Sequence, residues 1–226
     1  MGDNAASRKE LNVKELLLKE LKLAMHPAAI MFIALSTLLI IPNYPYYVTY
    51  FYTSLGIFFI CLSGRENHDI FYSLTLPVSR ADIVKARMLT ALLLETLQTL
   101  AAIPFALIRC RVIGLPNLVG IDANAAFFGS AFVMLGIFNF VFFTNYYRNP
   151  DKVGKCFALA ATVEGVYLCA AETLVHAVPF ARDVLDTPVG NTLPKLIVLF
   201  VGIAVYAVMF TVTLRVSVKR FGTVDF

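Results

Sequence analysis

The chain has 226 residues, of which 59% are hydrophobic and 15% are charged, and its mean hydropathy is +0.75. A soluble domain carries about 45 to 50% apolar and about 25% charged residues, so this composition excludes an ordinary soluble protein and predicts an all-α membrane protein. The net charge of +4 is scattered between apolar runs, which disfavours nucleic-acid binding, and the four widely spaced cysteines are typical neither of a disulfide framework nor of a metal site.

The first predicted element is an amphipathic helix over residues 7–24. A capping box of Ser7 and Glu10 opens it, and Pro27 follows its end. On a helical wheel most of its leucines gather on one side and most of its charges on the other. The pattern predicts a helix that lies along the membrane interface with its lysines snorkelling. A soluble helix packed on a partner is the alternative.

Six apolar runs are long enough to cross a bilayer. They lie at about residues 25–41, 46–63, 88–109, 123–146, 156–178 and 195–214. The first is short because Pro27 and Pro42 bound it. The fifth carries two glutamates and a histidine, so the sequence leaves open whether it crosses fully or breaks. Six spans place both termini on the same side.

The distribution of Lys and Arg predicts the orientation. Of the 19 cations, 15 lie in the N-terminal segment, in residues 64–87 and 147–155, and after residue 214. The cation-rich side of a membrane protein is usually cytoplasmic. We therefore expect a multi-pass protein of the cell membrane with both termini in the cytoplasm. Five tyrosines between residues 44 and 52 predict an interfacial aromatic belt at the opposite side.

The 24 residues from 64 to 87 separate the second and third spans. Asn67 is predicted to cap a short helix that has Ile70, Phe71 and Leu74 on one face. Such a helix would lie across the membrane surface with an apolar face that needs a cover.

A kink and a second helix follow in the same loop. Pro77 ends the short helix, and Ser79 with Asp82 three residues later forms a variant of the capping box. The apolar periodicity that begins at Ile83 then runs into the third span.

The stretch "LTLPVSRADIV", residues 74–84, resembles a segment of the permease subunits of the type-2 ABC exporter superfamily. Its place between the second and third of six spans matches as well. The small six-span group that includes the permeases of peptide and phenol-soluble modulin exporters is the most similar in length and layout. The resemblance covers the whole chain, although only this loop is specific in sequence.

This resemblance implies a transmembrane permease that exports amphipathic peptide, drug or lipid-like cargo. The short helix would be a coupling helix that docks on a separate ABC ATPase subunit, which would carry the ATP and Mg²⁺. A second permease copy or a paralogue would complete the transporter. By the resemblance, the docking surface comprises Arg65, Glu66, Asp69, Ile70, Phe71 and Leu74, and the corner comprises Pro77, Ser79 and Arg80. The alternative is that the loop only connects two spans.

The sequence itself contains no phosphate-binding loop. Its one Gly-Lys pair, Gly154 and Lys155, is followed by Cys156, and Asn149 stands where the first glycine belongs. The resemblance and this absence together predict a chain that is not an enzyme and binds no cofactor of its own. A membrane-embedded enzyme is a weaker alternative, because no set of catalytic residues converges in the sequence.

Ionisable residues also occur inside the predicted spans. Glu95 lies in the third span, and Glu164, Glu172 and His176 lie in the fifth. A carboxylate in the bilayer centre costs about 2.5 to 3.5 kcal/mol on insertion scales, so these groups should face the bundle interior or water. They are candidates for the lining of the transport path, and interhelical hydrogen bonding is the alternative. An ion-coupled carrier or channel that uses these carboxylates is the second functional hypothesis.

Small residues are spaced four apart on two spans. Ala125 and Gly129 form such a pair on the fourth span, and Ala161, Gly165 and Cys169 form a series on the fifth. Both patterns predict close helix approach.

Overall fold

The structure is a computed structural model that describes residues 13–24 and 26–224, with only the backbone described at residues 13, 14, 23 and 24. This part of the chain is helical and contains no strand. The α-helices are α1 (Val13–Lys19), α2 (Pro27–Ile33), α3 (Tyr47–Glu66), α4 (Asp69–Thr75), α5 (Arg80–Leu107), α6 (Ala125–Tyr146), α7 (Val153–Ala177) and α8 (Thr192–Gly222). Glu20–Ala24, Ile108–Ile113 and Ala181–Leu185 are π-helical, and Ala34–Ile40 and Pro150–Lys152 are 3₁₀-helical.

Five helical stretches are long and apolar enough to cross a membrane. They are Tyr47–Glu66, Arg80–Ile113, Ala125–Tyr146, Pro150–Ala177 and Thr192–Gly222, and they correspond to the second to sixth predicted spans. The first predicted span passes the same test only when Pro27–Ile40 is joined to Glu15–Lys22, from which it is bent by 87°. The all-α membrane fold is therefore confirmed, and a total of six spans stays a prediction.

The fifth predicted span does not break. α7 runs without interruption for 25 residues, which corresponds to about 37 Å of helix. That length exceeds the roughly 30 Å of a bilayer's hydrocarbon core. The acidic residues of this span are thus accommodated within a regular helix.

α6 occupies the centre of the bundle and packs along α8 and α7. The closest approach is between Gly129 of α6 and Gly202 of α8. A Cβ atom built on Gly202 would lie 2.0 Å from the backbone oxygen of Gly129. The predicted close packing at Gly129 is confirmed, whereas Gly165 of α7 has no atom near its Cβ position among the described residues.

Two buried apolar clusters fill the bundle. One lies towards α4 and includes Ile60, Phe142 and Tyr146. The other lies towards the opposite end and includes Tyr47 and Phe127. These two clusters define the α4 end and the opposite end of the bundle.

Three of the tyrosines predicted for an aromatic belt belong to the second cluster instead. Tyr46, Tyr47 and Tyr50 are at most 1% exposed. Their rings lie 5.2 to 6.1 Å from the ring of Phe127, measured between centroids. The belt prediction is wrong for these three residues, because α3 turns them towards α6.

α1 packs against α5. On a helical wheel Leu18 lies on the apolar side of this helix and Leu16 lies off it. The structure reverses the two, because Leu16 is 2% exposed and Leu18 is 47% exposed. The reason is that Glu20 is also buried, in an ion cluster with α4 and α5. The predicted capping box of Ser7 and Glu10 lies outside the described residues.

Candidate functional site

The loop between the second and third spans folds around a left-handed residue. α3 continues to Glu66, and the Asn67 N–H donates to the Ser63 carbonyl at 2.9 Å. His68 then adopts a φ of 51° and α4 begins at Asp69. A short helix is present, as predicted. The predicted cap is wrong, because Asn67 ends α3 and His68 precedes α4.

Ser79 caps the next helix as predicted. Its hydroxyl oxygen accepts a hydrogen bond from the Asp82 N–H at 3.1 Å and donates to the Asp82 carboxylate at 2.6 Å. In a standard capping box the acidic side chain reaches the backbone of the cap residue. Here it holds the cap hydroxyl instead, and α5 starts at Arg80.

α4 divides the predicted docking residues between two faces. Ile70 is 8% exposed, and Leu74 is half-buried against the core cluster at the α4 end. Phe71 and Tyr72 are 53% and 55% exposed. The apolar face predicted from the sequence is therefore turned partly inward, and the two aromatic side chains form the outward part.

Asp69 lies in a cluster of four charges. Arg87 of α5 bonds Asp69 through Nη2 and Glu20 through Nε, each at 2.5 Å. Lys19 pairs with the second oxygen of Asp69 at 2.5 Å and donates to the Ser73 hydroxyl at 2.5 Å. Arg87 is 4% exposed and Glu20 is 2% exposed. The cluster thus joins the N-terminal helix, α4 and α5.

The sequence reasoning missed Lys19, Glu20 and Arg87 as members of this site. Lys19 and Glu20 were placed on the polar face of the interfacial helix, and Arg87 was counted only among the cations of residues 64–87. One signal was available, since Arg87 stands inside the apolar periodicity that begins at Ile83. A cation inside such a run needs a buried partner.

The next loop on the same side, between α6 and α7, touches this region. Arg65 donates from Nη1 to the backbone carbonyl of Asp151 at 3.2 Å, and it lies 3.9 Å from the exposed carboxylate of Glu66. A small cavity of about 30 Å³ lies between Phe71, Arg65 and Pro150. The exposed surface of α4 is therefore continuous with Pro150–Lys152.

The corner residues anchor the end of α8. Arg80 donates from Nη1 to the carbonyl oxygens of Phe221, Gly222 and Val224 at 3.2, 3.2 and 2.8 Å. Such bonds satisfy carbonyls that a helix leaves without an internal partner at its end. Pro77 is half-buried in the turn before α5.

Two intramembrane acids lie inside the bundle and join helices. Glu95 is 1% exposed, and its carboxylate accepts from Asn139 of α6 at 2.8 Å and from the hydroxyl of Tyr206 of α8. Glu164 is fully buried and accepts from Ser54 of α3 at 2.8 Å. The structure therefore places both acids in the interior, with neutral partners on neighbouring helices.

Glu172 and His176 lie at the opposite end and hold a loop. Glu172 accepts from the Ile121 N–H at 3.2 Å, and the His176 ring nitrogen lies 3.4 Å from the Val119 carbonyl. Their spacing of four residues on one helix face would allow a hydrogen bond between them, but none is present among the described residues. They are thus separated from Glu95 and Glu164 and support the residues that precede α6.

The loops at the opposite end form a second polar region. The carboxylate of Asp122 accepts from the Asn117 N–H at 2.9 Å, and the Asp122 N–H donates to Asp186 at 2.8 Å. Burial, and to a smaller extent the nearby Asp186 carboxylate, raise the pKa of Asp122 to about 6, against the opposing Asn117 hydrogen bond. Burial raises the pKa of Asp186 as well.

The fold and the site define a class of protein, namely a multi-pass helical membrane protein that has a short helix between two spans at one end. A family model described as ABC-2 family transporter protein matches residues 15–221. The chain belongs to this family and is a transmembrane subunit of an ABC transporter. Comparison with curated proteins and with solved structures found no significant match.

Proposed function

We propose that this chain is the permease of an exporter that is driven by a separate ABC ATPase subunit, and that the ATPase binds at the exposed side of α4. The observation that carries the proposal is the outward position of Phe71. Phe71 is 53% exposed on a short helix and forms the apolar centre of a docking surface. The exposed charged residues Arg65 and Glu66 lie beside it and form the rim.

The surface that supports this docking differs from the one expected from sequence. Phe71, Tyr72, Arg65 and Glu66 are exposed, and the neighbouring Pro150–Lys152 lies on the same side. Asp69, Ile70 and Leu74 connect α4 to the bundle. A partner that binds the outer face of α4 and moves this helix therefore acts on the bundle through the residues on the inner face of α4.

The ion cluster offers a direct route for that movement. Asp69 on α4 bonds Arg87 on α5, and α5 continues into a span of 34 residues. Arg87 also bonds Glu20, so the N-terminal helix would move with α4. In this proposal ATP binding and hydrolysis, with their Mg²⁺, belong to the partner subunit.

The cargo and the assembly complete the proposal. The resemblance to small peptide exporters suggests that the cargo is an amphipathic peptide, drug or lipid-like molecule. A second copy of the chain or a paralogue would form the other half of the transport path in the cell membrane. Glu95 and Glu164 stay candidates for its polar lining. Their hydrogen bonds to Tyr206, Asn139 and Ser54 also suit interhelical stabilisation, the alternative that the sequence left open.

The test is co-purification of an ABC ATPase subunit that is co-expressed with this chain, taken from any neighbouring ATPase gene, at matched membrane levels of the parent and of variants. Phe71→Ala should lower the affinity for the ATPase about thirtyfold and so reduce its recovery, because truncation of an aromatic anchor costs about 2 kcal/mol. Phe71→Glu should weaken it further, since it places a charge in an apolar contact.

Phe180→Ala is the matched control, because Phe180 is 60% exposed but lies at the opposite end. Ser79→Ala removes only a helix cap, worth about 1 kcal/mol, and should retain the ATPase. Equal recovery of all five proteins would show that the loop is a linker and that docking at Phe71 is wrong.

A further inference from the structure

A cavity of about 480 Å³ lies at the opposite end of the bundle, between α5, α6 and α8. Its volume is within the roughly 300 to 1,000 Å³ of small-molecule sites. Its apolar walls come from residues such as Ile103, Phe132 and Ile203. Ile103 and Ile203 are each 40% exposed, so the cavity opens sideways between α5 and α8, towards the bilayer.

The cavity is about as long as the hydrocarbon layer of one membrane leaflet is thick. Its lining runs along α5 and the following π-helical turn from Thr99 to Arg111. Twelve residues of helix rise about 18 Å, close to half of the roughly 30 Å hydrocarbon core. An apolar chain that enters from one leaflet would fill it.

The polar end of the cavity is cationic. Arg111 lines it, is exposed and forms no ion pair with any described residue. Lys195 also lines it and is 4% exposed. Among the described residues that line this cavity, none is acidic, although Asp122 and Asp186 lie nearby.

The wall at this end is preformed. Lys195 donates to the carbonyl and hydroxyl oxygens of Thr187 at 2.5 and 2.7 Å and to the Gly190 carbonyl at 2.8 Å. Asn124 donates to the Leu185 and Thr187 carbonyls at 2.7 and 3.1 Å. These hydrogen-bond partners are neutral and fix the loop. The carboxylates of Asp122 and Asp186 offset part of the charge of Lys195, so the exposed Arg111 is the main cation at the end of the cavity.

We propose that this cavity binds an anionic membrane lipid, with an acyl chain between α5 and α8 and its phosphate at Arg111. Cations at the polar end of an apolar cavity suit an anionic head group, and an arginine can bind a phosphate through two parallel N–H bonds. The proposal is independent of ATPase docking at α4, because it concerns the other end of the molecule.

Native mass spectrometry of the purified full chain tests this with phosphatidylglycerol and phosphatidylcholine that carry identical acyl chains. Both lipids carry a phosphate, but phosphatidylcholine also brings a quaternary cation next to Arg111 and Lys195. We therefore expect the parent to retain phosphatidylglycerol roughly tenfold better, because like charges in contact oppose binding. Arg111→Gln should bring the two lipids to similar retention. Arg182→Gln is the control, because Arg182 is also exposed at this end but does not line the cavity.

A second pair of variants tests the chain position. Ile103→Trp should fill the cavity and reduce retention of both lipids severalfold, whereas Leu100→Trp, on the exposed part of α5 outside the cavity, should behave as the parent. Inorganic phosphate should not displace the lipid.

Three results would overturn the proposal. They are equal retention of both lipids by the parent, equal effects of Arg111→Gln and Arg182→Gln, and displacement by phosphate alone, which would mean a site for a free anion.

Discussion

Arg87 is the residue on which the charge cluster at the α4 end depends. It lies 2.5 Å from Glu20, closer than Lys19 at 3.8 Å, and it is one of two cations on Asp69. Arg87→Ala would remove the closest cation of the buried Glu20 and leave Lys19 as the one remaining described cation beside Glu20 and Asp69. Breaking one partner of a buried ion pair costs about 3 to 5 kcal/mol.

We therefore expect Arg87→Ala to lower the free energy of unfolding by about that amount, measured by denaturant unfolding of the purified protein. Arg148→Ala is the control, because Arg148 is exposed, and it should change stability by less than about 0.5 kcal/mol. In a double-mutant cycle, Glu20→Ala should cost much less in the Arg87→Ala background than in the parent. Additive losses would argue against a coupled cluster.

The raised pKa of Asp122, at the opposite end, predicts how the free energy of unfolding of the chain depends on pH. Its pKa is about 6 in the folded chain and 3.8 as its ordinary value, so the folded chain binds more protons between these values. Stability should then fall as pH rises from about 4 to about 6. Asp186 acts in the same direction, and Arg109 and Lys195 oppose the shift at Asp122.

Thermal unfolding between pH 4.5 and 7 measures this effect. Asp122→Asn should flatten the fall, because its amide can still accept from Asn117 but does not titrate. Asp183→Asn is the matched control, since the exposed Asp183 pairs with Arg182, which holds its pKa below the usual range. An unchanged slope in Asp122→Asn would contradict the assignment.

At the scale of elements, long apolar helices were predictable and short polar turns were less so. The second to sixth spans lie where hydropathy places them, because burial of about 20 apolar residues in lipid outweighs local preferences. Ser79 was also predictable, since a cap depends on residues only three positions apart.

Features that depend on distant contacts were not predictable from one sequence. Asn67 was predicted to cap α4, but α3 continues to Glu66 and the chain turns at His68 instead. The inward side of α4 is set by Arg87 and Lys19, which lie 18 and 50 residues away from Asp69 along the chain. The pairing of Glu95 with Tyr206 likewise joins residues separated by 111 positions.

The contact between α6 and α8 gives a prediction for paired helices. A Cβ atom on Gly202 would meet the backbone of Gly129, which cannot move aside as a side chain can. Gly202→Ala should separate the helices and lower the free energy of unfolding by about 1 to 3 kcal/mol or more.

Gly165→Ala serves as the control, because a Cβ atom there meets no described atom within 4 Å. Alanine has the higher helix propensity, so this change should be neutral or stabilising by up to about 1 kcal/mol. Denaturant unfolding of both variants compares them directly. Equal losses would show that the tight α6–α8 contact is not present.

At the scale of the whole molecule, the composition alone predicted the membrane class, and the family match over residues 15–221 agrees with it. The number of spans was harder to predict. Pro27–Ile40 is a short, partly 3₁₀-helical element bent by 87° from the preceding helix, and apolar composition cannot distinguish such a bent pair from a straight span.

The positions of the cations in the structure predict the orientation of the chain in the membrane. The α4 end carries most of the 19 cations, although Arg87 is buried in the ion cluster. At the opposite end Arg109 and Lys195 are buried as well, whereas Arg111 and Arg182 are exposed. When the buried cations are excluded, the α4 end still carries more cations than the opposite end, so we expect the α4 end to lie in the cytoplasm.

Single cysteines at Arg182 and at Thr75, both exposed, report the two ends. Asn117 is a poor labelling site because it is only 3% exposed. In intact cells a membrane-impermeant maleimide should label Arg182→Cys and reach Thr75→Cys only after lysis. The background is a chain with its four native cysteines replaced by serine or alanine. Labelling of Thr75→Cys before lysis, with protection of Arg182→Cys, would reverse the orientation and place α4 where no cytoplasmic ATPase could reach it.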